Sequence, residues 1–252
     1  MMRAGIAAAL SLVLTAPQAG DTGPYLAADQ YPDGMIILPP PPAAGSAAAT
    51  LDMAVFRATR KLEGSPRWQI AADDVTNDPL GRNACAMQMV LDAKRAPVLA
   101  RLLARARTGP VVGKVKAAYQ VPRPYLREEG PICEPKTAHL AGNGDYPSGH
   151  TANGWLEAQI LAQVMPDKAS AILARGRAYG ESRAICGSHS KSAVEAGYMA
   201  GAAVFTVLQT SPAYQRALDA ARKEVHQLRA TAPHPDGRAC AAEAAALRVR
   251  PW

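Results

Sequence analysis

From Leu51 onward, apolar residues recur at helical spacing. Val55, Phe56 and Leu62 share one face, and Asp52 is placed to cap the segment. Gly64-Ser65-Pro66 breaks the pattern, and a cap residue followed by proline restarts a helix. A longer helical stretch runs from about Arg82 to Arg107 and closes at Gly109-Pro110. Val111 to Gln120 forms a shorter one, stopped by Pro122 and Pro124. A loop rich in glycine, proline and charge spans 125–146, after which the spacing predicts helices over 150–164, 167–180, 190–208 and 211–229. No strand-like alternation of useful length and no internal repeat interrupts this order. The pattern predicts one all-α domain over 51–231, a single helical bundle.

The two ends read differently. Met1-Met2-Arg3, the apolar run Ala4 to Thr15 and the small residues around Ala16 to Gly20 have the layout of a secretory signal peptide over 1–20, too short for a stable membrane anchor. Residues 21–50 are rich in Pro, Gly and Ala. Pro39 to Pro42 form a row that favours an extended arm across the domain surface, with a disordered linker as the alternative. Residues 232–252 form a tail, punctuated by Pro and Gly and then rich in alanine.

Composition agrees with a helical core: 48% of the 252 residues are apolar and only 5% aromatic. A net charge of +7 suits either an ordinary basic surface or attraction of anionic substrates. Without a Lys/Arg tract interleaved with aromatics, nucleic-acid binding has no support. No later stretch is long and apolar enough to predict a membrane span. The four cysteines Cys85, Cys133, Cys186 and Cys240 allow three pairings in an oxidising compartment. None forms a CxxC pair, so no zinc site is expected. A bridge between Cys133 and Cys186 would tie two of the clusters below together, leaving Cys85 for Cys240.

Three clusters carry candidate chemistry. Lys116 precedes Arg123-Pro124, where proline on both sides stiffens the backbone that holds the guanidinium, and Arg and Lys together suit phosphate oxygens. Taken alone, the pair reads as a solvated basic face. Pro147-Ser148-Gly149-His150 opens a helix, where free N–H groups attract anions, Gly149 admits close approach and His150 is placed as a general acid. Ser182-Arg183 ends a helix shortly before His189, and a neutral imidazole beside a phosphate cage can attack phosphorus.

The pattern Lys116-x6-Arg123-Pro124, Pro147-Ser148-Gly149-His150, Ser182-Arg183-x5-His189 resembles the three-part signature of the type 2 phosphatidic acid phosphatase superfamily. More narrowly it resembles the class A bacterial non-specific acid phosphatases. Gly64-Ser65-Pro66-Arg67-Trp68, Gly144-Asp145-Tyr146 and Ile185-Cys186-Gly187 extend the likeness, which covers about residues 35–220. The resemblance implies an all-α fold shared with vanadium-dependent haloperoxidases. It implies hydrolysis of small phosphomonoesters at acidic pH, in the periplasm or outside the cell, without metal or other cofactor. It makes His189 the nucleophile that becomes a phosphohistidine and His150 the proton donor. Lys116, Arg123, Ser148, Gly149 and Arg183 become the phosphate ligands. A Cys133–Cys186 disulfide and a homo-oligomer also follow from it.

One position departs from that family. An aspartate is expected four residues after the nucleophile, one helical turn on, where it would orient the imidazole. Here it is Ala193. Glu195 lies on another helix face and does not replace it. By analogy with removal of the orienting carboxylate from a serine-protease triad, turnover is expected to drop by about two to four orders of magnitude. Two further readings are a phosphoester-binding protein without turnover and a vanadate-dependent haloperoxidase.

Overall fold

A computed structural model describes residues 22–252; the expected signal peptide over 1–20 lies outside the described residues. Nine helices of eight residues or more are present among the described residues, and no strand. They are α1 (Ala47–Arg60), α2 (Pro66–Asp73), α3 (Pro97–Arg105), α4 (Gly109–Tyr119), α5 (Gly149–Val164), α6 (Ala169–Cys186), α7 (Lys191–Leu208), α8 (Pro212–Leu228) and α9 (Gly237–Ala246). The centre of the bundle is α5, which packs along both α6 and α7. The other contacts arrange α1 against α6 and α7, α2 against α6, α3 against α8, and α9 against α2.

The helix starts follow their caps. Ser46, Ser65, Ser148, Ser190 and Ser211 each accept a backbone N–H from the first turn of the helix that they open. Two expectations change. Helix α1 begins at Ala47 behind Ser46, so Asp52 lies inside the helix rather than capping it. There Asp52 is buried and accepts the backbone N–H and the hydroxyl of Ser192, at 2.8 and 3.0 Å. The stretch over 82–107 is one turn at Ala84–Met87 and then α3. Gln88 ends that turn in the left-handed region, and Pro97 restarts the helix nine residues later.

The core joins Leu156, Ile160 and Leu161 of α5 to Leu99 and Leu102 of α3 and to Val204 of α7. Small residues let the central helices come close. A β-carbon added to Gly176 would lie 2.3 Å from that of Ala158, and one added to Gly201 would lie 2.5 Å from the Ala152 carbonyl oxygen. Outside the bundle, Leu26 and Leu38 are buried in the same core, and the Tyr146 hydroxyl donates to the Pro39 carbonyl at 2.6 Å. Disulfides join Cys133 to Cys186 and Cys85 to Cys240, the latter fastening α9 to the body. No helix among the described residues is long and apolar enough to cross a membrane.

The Gly201 contact is with backbone, which cannot swing aside as a side chain can. Gly201→Ala is therefore expected to force α5 and α7 apart and to lower stability by about 1–3 kcal/mol, read by urea denaturation.

Candidate active site

Arg123 stands in extended geometry between Pro122 and Pro124, as the proline rule expects. Its buried guanidinium donates through Nη1 to the Ser188 carbonyl at 2.7 Å and contacts His189 Nε2 at 3.1 Å. Arg183 lies in the last turn of α6 and is fully buried. Gly187, at φ +85°, ends that helix in the left-handed region and turns the chain through Ser188 and His189 into the cap of α7.

His189 is held on both sides of its ring. Nδ1 lies 2.7 Å from the backbone oxygen of Asp145 and 3.1 Å from its Oδ1. The same Oδ1 accepts the Ser190 N–H at 3.0 Å. A backbone carbonyl can only accept and a guanidinium can only donate. The proton therefore sits on Nδ1, and the Nε2 lone pair faces the cations. Burial, followed by the charges of Arg123, Lys116 and Arg183, drives the imidazole well below its ordinary pKa. Burial pushes the Asp145 carboxyl up to about 6, against the hydrogen bonds of Ser190 and the charges of Arg123 and Lys116. Near neutral pH the pair is a neutral ring beside a carboxylate, not an ion pair.

Helix α5 opens toward this ring. Ser148 caps it, accepting the Thr151 N–H at 3.3 Å and its hydroxyl at 2.9 Å, which leaves the serine's own proton free to donate. The Ser148 N–H donates to the Ala193 carbonyl at 2.9 Å and so joins the start of α5 to the start of α7. A β-carbon on Gly149 would meet protein only at an ordinary 3.6 Å, so the protein itself does not demand glycine there. Burial, then Arg183, lowers His150 to about 4.

Other residues occupy the edge. Lys116 donates to the carbonyls of Asn143 and Gly144 at 2.8 and 2.7 Å; burial, then Arg123, lowers it to about 8. It also lines a cavity of about 520 Å³ with Val121, Pro122 and Leu126. The larger cavity, about 580 Å³, is lined by Asp74, Arg82, Arg175 and Glu243 and includes none of these site residues. Ser182 turns toward Asp74 and Arg67, a buried structural network, rather than toward His189.

The roles of three residues were not legible in the sequence. Asp145 was visible only as part of a familiar run. Asp52, seen as a cap, instead anchors the first turn of α7. Glu134, next to Cys133, accepts from Arg183 Nη2 at 2.5 Å and from the Ser188 hydroxyl. Burial alone would raise its carboxyl, but the Arg183 charge and these hydrogen bonds outweigh that and hold it low. Even so, Arg123 Nε and Arg183 Nε and Nη1 are buried with no partner among the described residues. Buried guanidinium donors without a protein partner, some of them on the arginine that contacts His189, are suited to an oxyanion.

Residues 97–217 match the PAP2 superfamily. The chain is 38% identical over 201 residues to an acid phosphatase of Zymomonas mobilis, covering 77% of this chain and 76% of that protein. It is 32% identical over 210 residues to a non-specific acid phosphatase of Salmonella typhimurium, covering 81% and 84%. A non-specific acid phosphatase of Providencia stuartii is 33% identical over 212 residues, covering 81% and 86%.

Because Glu134 places a negative charge against Arg183, it opposes any anion that binds there. Glu134→Gln keeps an acceptor for Arg183 and removes the charge, so inorganic phosphate is expected to bind about tenfold more tightly, measured by calorimetry at pH 6.

Proposed function

The chain belongs to the PAP2 superfamily, and from that membership we propose that it is an acid phosphatase acting on small phosphomonoesters. The observation that carries this reading is the set of unpaired Arg123 and Arg183 donors, together with a neutral imidazole whose Nε2 lone pair faces the Arg123 guanidinium. The phosphoryl group takes the unpaired donors of Arg123 and Arg183, the Ser148 hydroxyl and the free N–H groups of Gly149 and His150 at the start of α5. Lys116 adds charge from the edge. Glycine at 149 keeps this approach open to the oxygens.

Nε2 of His189 attacks phosphorus while the ester oxygen leaves. The N–P bond forms as the P–O bond breaks, giving a phosphohistidine, and His150 supplies the proton that the departing alkoxide needs. Water then hydrolyses the phosphohistidine with His150 accepting the proton. In the free protein His150 is depressed to about 4, so it is protonated only in acid, and turnover that depends on its proton declines as pH rises. A bound phosphate opposes the Arg183 charge and raises it. The two disulfides, together with the leader-like segment at 1–20, fit an exported protein of the periplasm or the medium. A homo-oligomer, which the resemblance to the class A phosphatases implies, is part of the same reading. Loss of the carboxylate expected at position 193 would impair turnover unless another group supplies its charge.

His189→Ala is expected to abolish hydrolysis of every phosphomonoester while phosphate still binds. Wild-type turnover that is no faster than this variant would leave only a phosphoester-binding protein. His150→Ala is expected to slow alkyl phosphates by about 10²–10⁴-fold. It should slow p-nitrophenyl phosphate much less, because that leaving group needs little protonation. Steady-state rates on the two substrates check the difference.

A further inference from the structure

Position 193 is where a carboxylate in the first turn of α7, the helix that follows His189 and its cap Ser190, would stand, yet the nucleophile's ring does not lack one. We propose that Asp145, reaching across from the loop before α5, supplies the orienting carboxylate of His189 in place of residue 193. The inference rests on the reading of His189 as nucleophile, and its content is where the charge behind that ring comes from.

The geometry is specific. Both oxygens that face Nδ1 belong to Asp145, its backbone carbonyl at 2.7 Å and its Oδ1 at 3.1 Å. Asp145 is 1% exposed, so its charge acts on the ring with little screening. Its own position is fixed independently. Its N–H donates to the Val121 carbonyl at 2.7 Å, two residues from Arg123, and its Oδ1 holds the Ser190 N–H at 3.0 Å. Ala193 sits on the same small assembly. It is fully buried, its N–H is used by the Ser190 hydroxyl, and its carbonyl receives the Ser148 N–H. Carboxylates therefore serve the start of α7 from two other elements, Asp52 of α1 at Ser192 and Asp145 at Ser190. The helix has no acidic side chain in its own first turn.

The chemical role follows from the charge balance of the transfer step. When Nε2 takes the phosphoryl group, the alkoxide leaves with a proton from His150 and the Nδ1 proton stays on the ring. The substituted imidazole is then cationic in a site already holding Arg123 and Arg183. A carboxylate on Nδ1–H stabilises that state more than the neutral starting ring, so it lowers the barrier rather than merely improving binding. Asp145 is thus a positioning residue that acts through His189. With it in place, Ala193 does not by itself impair the enzyme.

Asp145→Asn isolates the charge, because the amide oxygen can still accept from Ser190 and the backbone carbonyl still receives Nδ1–H. At pH 7, where the wild-type carboxyl is ionised, this variant is expected to lose about 10²–10⁴-fold in kcat. KM should change little and the melting temperature should stay close to wild type. Asp145→Asn combined with Ala193→Asp is expected to recover at least about tenfold of that loss. Ala193→Asp alone, in which Asp145 remains, is expected to change kcat by less than about threefold, since the charge is already supplied. A gain of about a hundredfold from that single change would overturn the proposal. So would Asp145→Asn turning over like wild type while His189→Ala is inactive. If His189→Ala instead keeps wild-type turnover, the phosphohistidine reading fails first, and the role of Asp145 fails with it.

Discussion

Burying Arg123 and Arg183 with Lys116 at their edge is the constraint around which the site is organised. Charges taken out of water must be paired, and like charges placed together raise one another's energy. The two carboxylates that meet them are not equivalent. Glu134 contacts Arg183 directly, whereas Asp145 meets the cations through the His189 ring and the backbone around it. Three cations against two carboxylates and a neutral imidazole leave one positive charge to be met by a ligand. The unpaired nitrogens of Arg123 and Arg183 show where an anion would meet it. Burial, reinforced by these neighbouring charges, keeps both histidines neutral at rest, which suits the roles proposed for them.

Much of this was legible along the chain because it depends on local chemistry. Ser148 before Gly149, Ser190 before Lys191 and proline on either side of Arg123 set caps and extended backbone by rules that act within a few residues. The helices over 149–164, 191–208 and 212–228 followed from spacing to within a residue or so at either end. The break between Met87 and Pro97 was not legible, since alanine and leucine on both sides carried the helical pattern through a segment that turns instead. Asp52 failed as a cap for a related reason. An aspartate before apolar residues reads as a helix start, but its acceptor role is spent 140 residues away on Ser192.

Asp145 shows a different kind of limit. Helical periodicity finds a partner one turn away and led directly to Ala193. It has no means of finding a partner 44 residues upstream in a loop, which is brought to the ring by two backbone contacts. Those contacts, Asp145 N–H to Val121 and Ser148 N–H to Ala193, depend on no side chain. The loop could therefore acquire or lose a carboxylate at 145 without moving the ring.

Glu134 then acquires a reason to persist next to a phosphate seat. A guanidinium presents five donors in one plane, and Glu134 engages only Nη2, so the carboxylate fixes that plane and leaves Nε and Nη1 without a protein partner. Its segment is pinned to the end of α6 by the Cys133–Cys186 disulfide and by the Cys133 N–H to the Cys186 carbonyl at 3.1 Å. On the proposed reading, phosphate would add beside Glu134 rather than displace it, and would feel its repulsion while bound. That repulsion weighs on the product, inorganic phosphate, as much as on the substrate. In the proposed mechanism the transferring phosphoryl would gain the bond to His189 and the balance provided by Asp145, which the product would not have. A seat with some anionic resistance built in gives up part of its ground-state affinity and releases its product more easily.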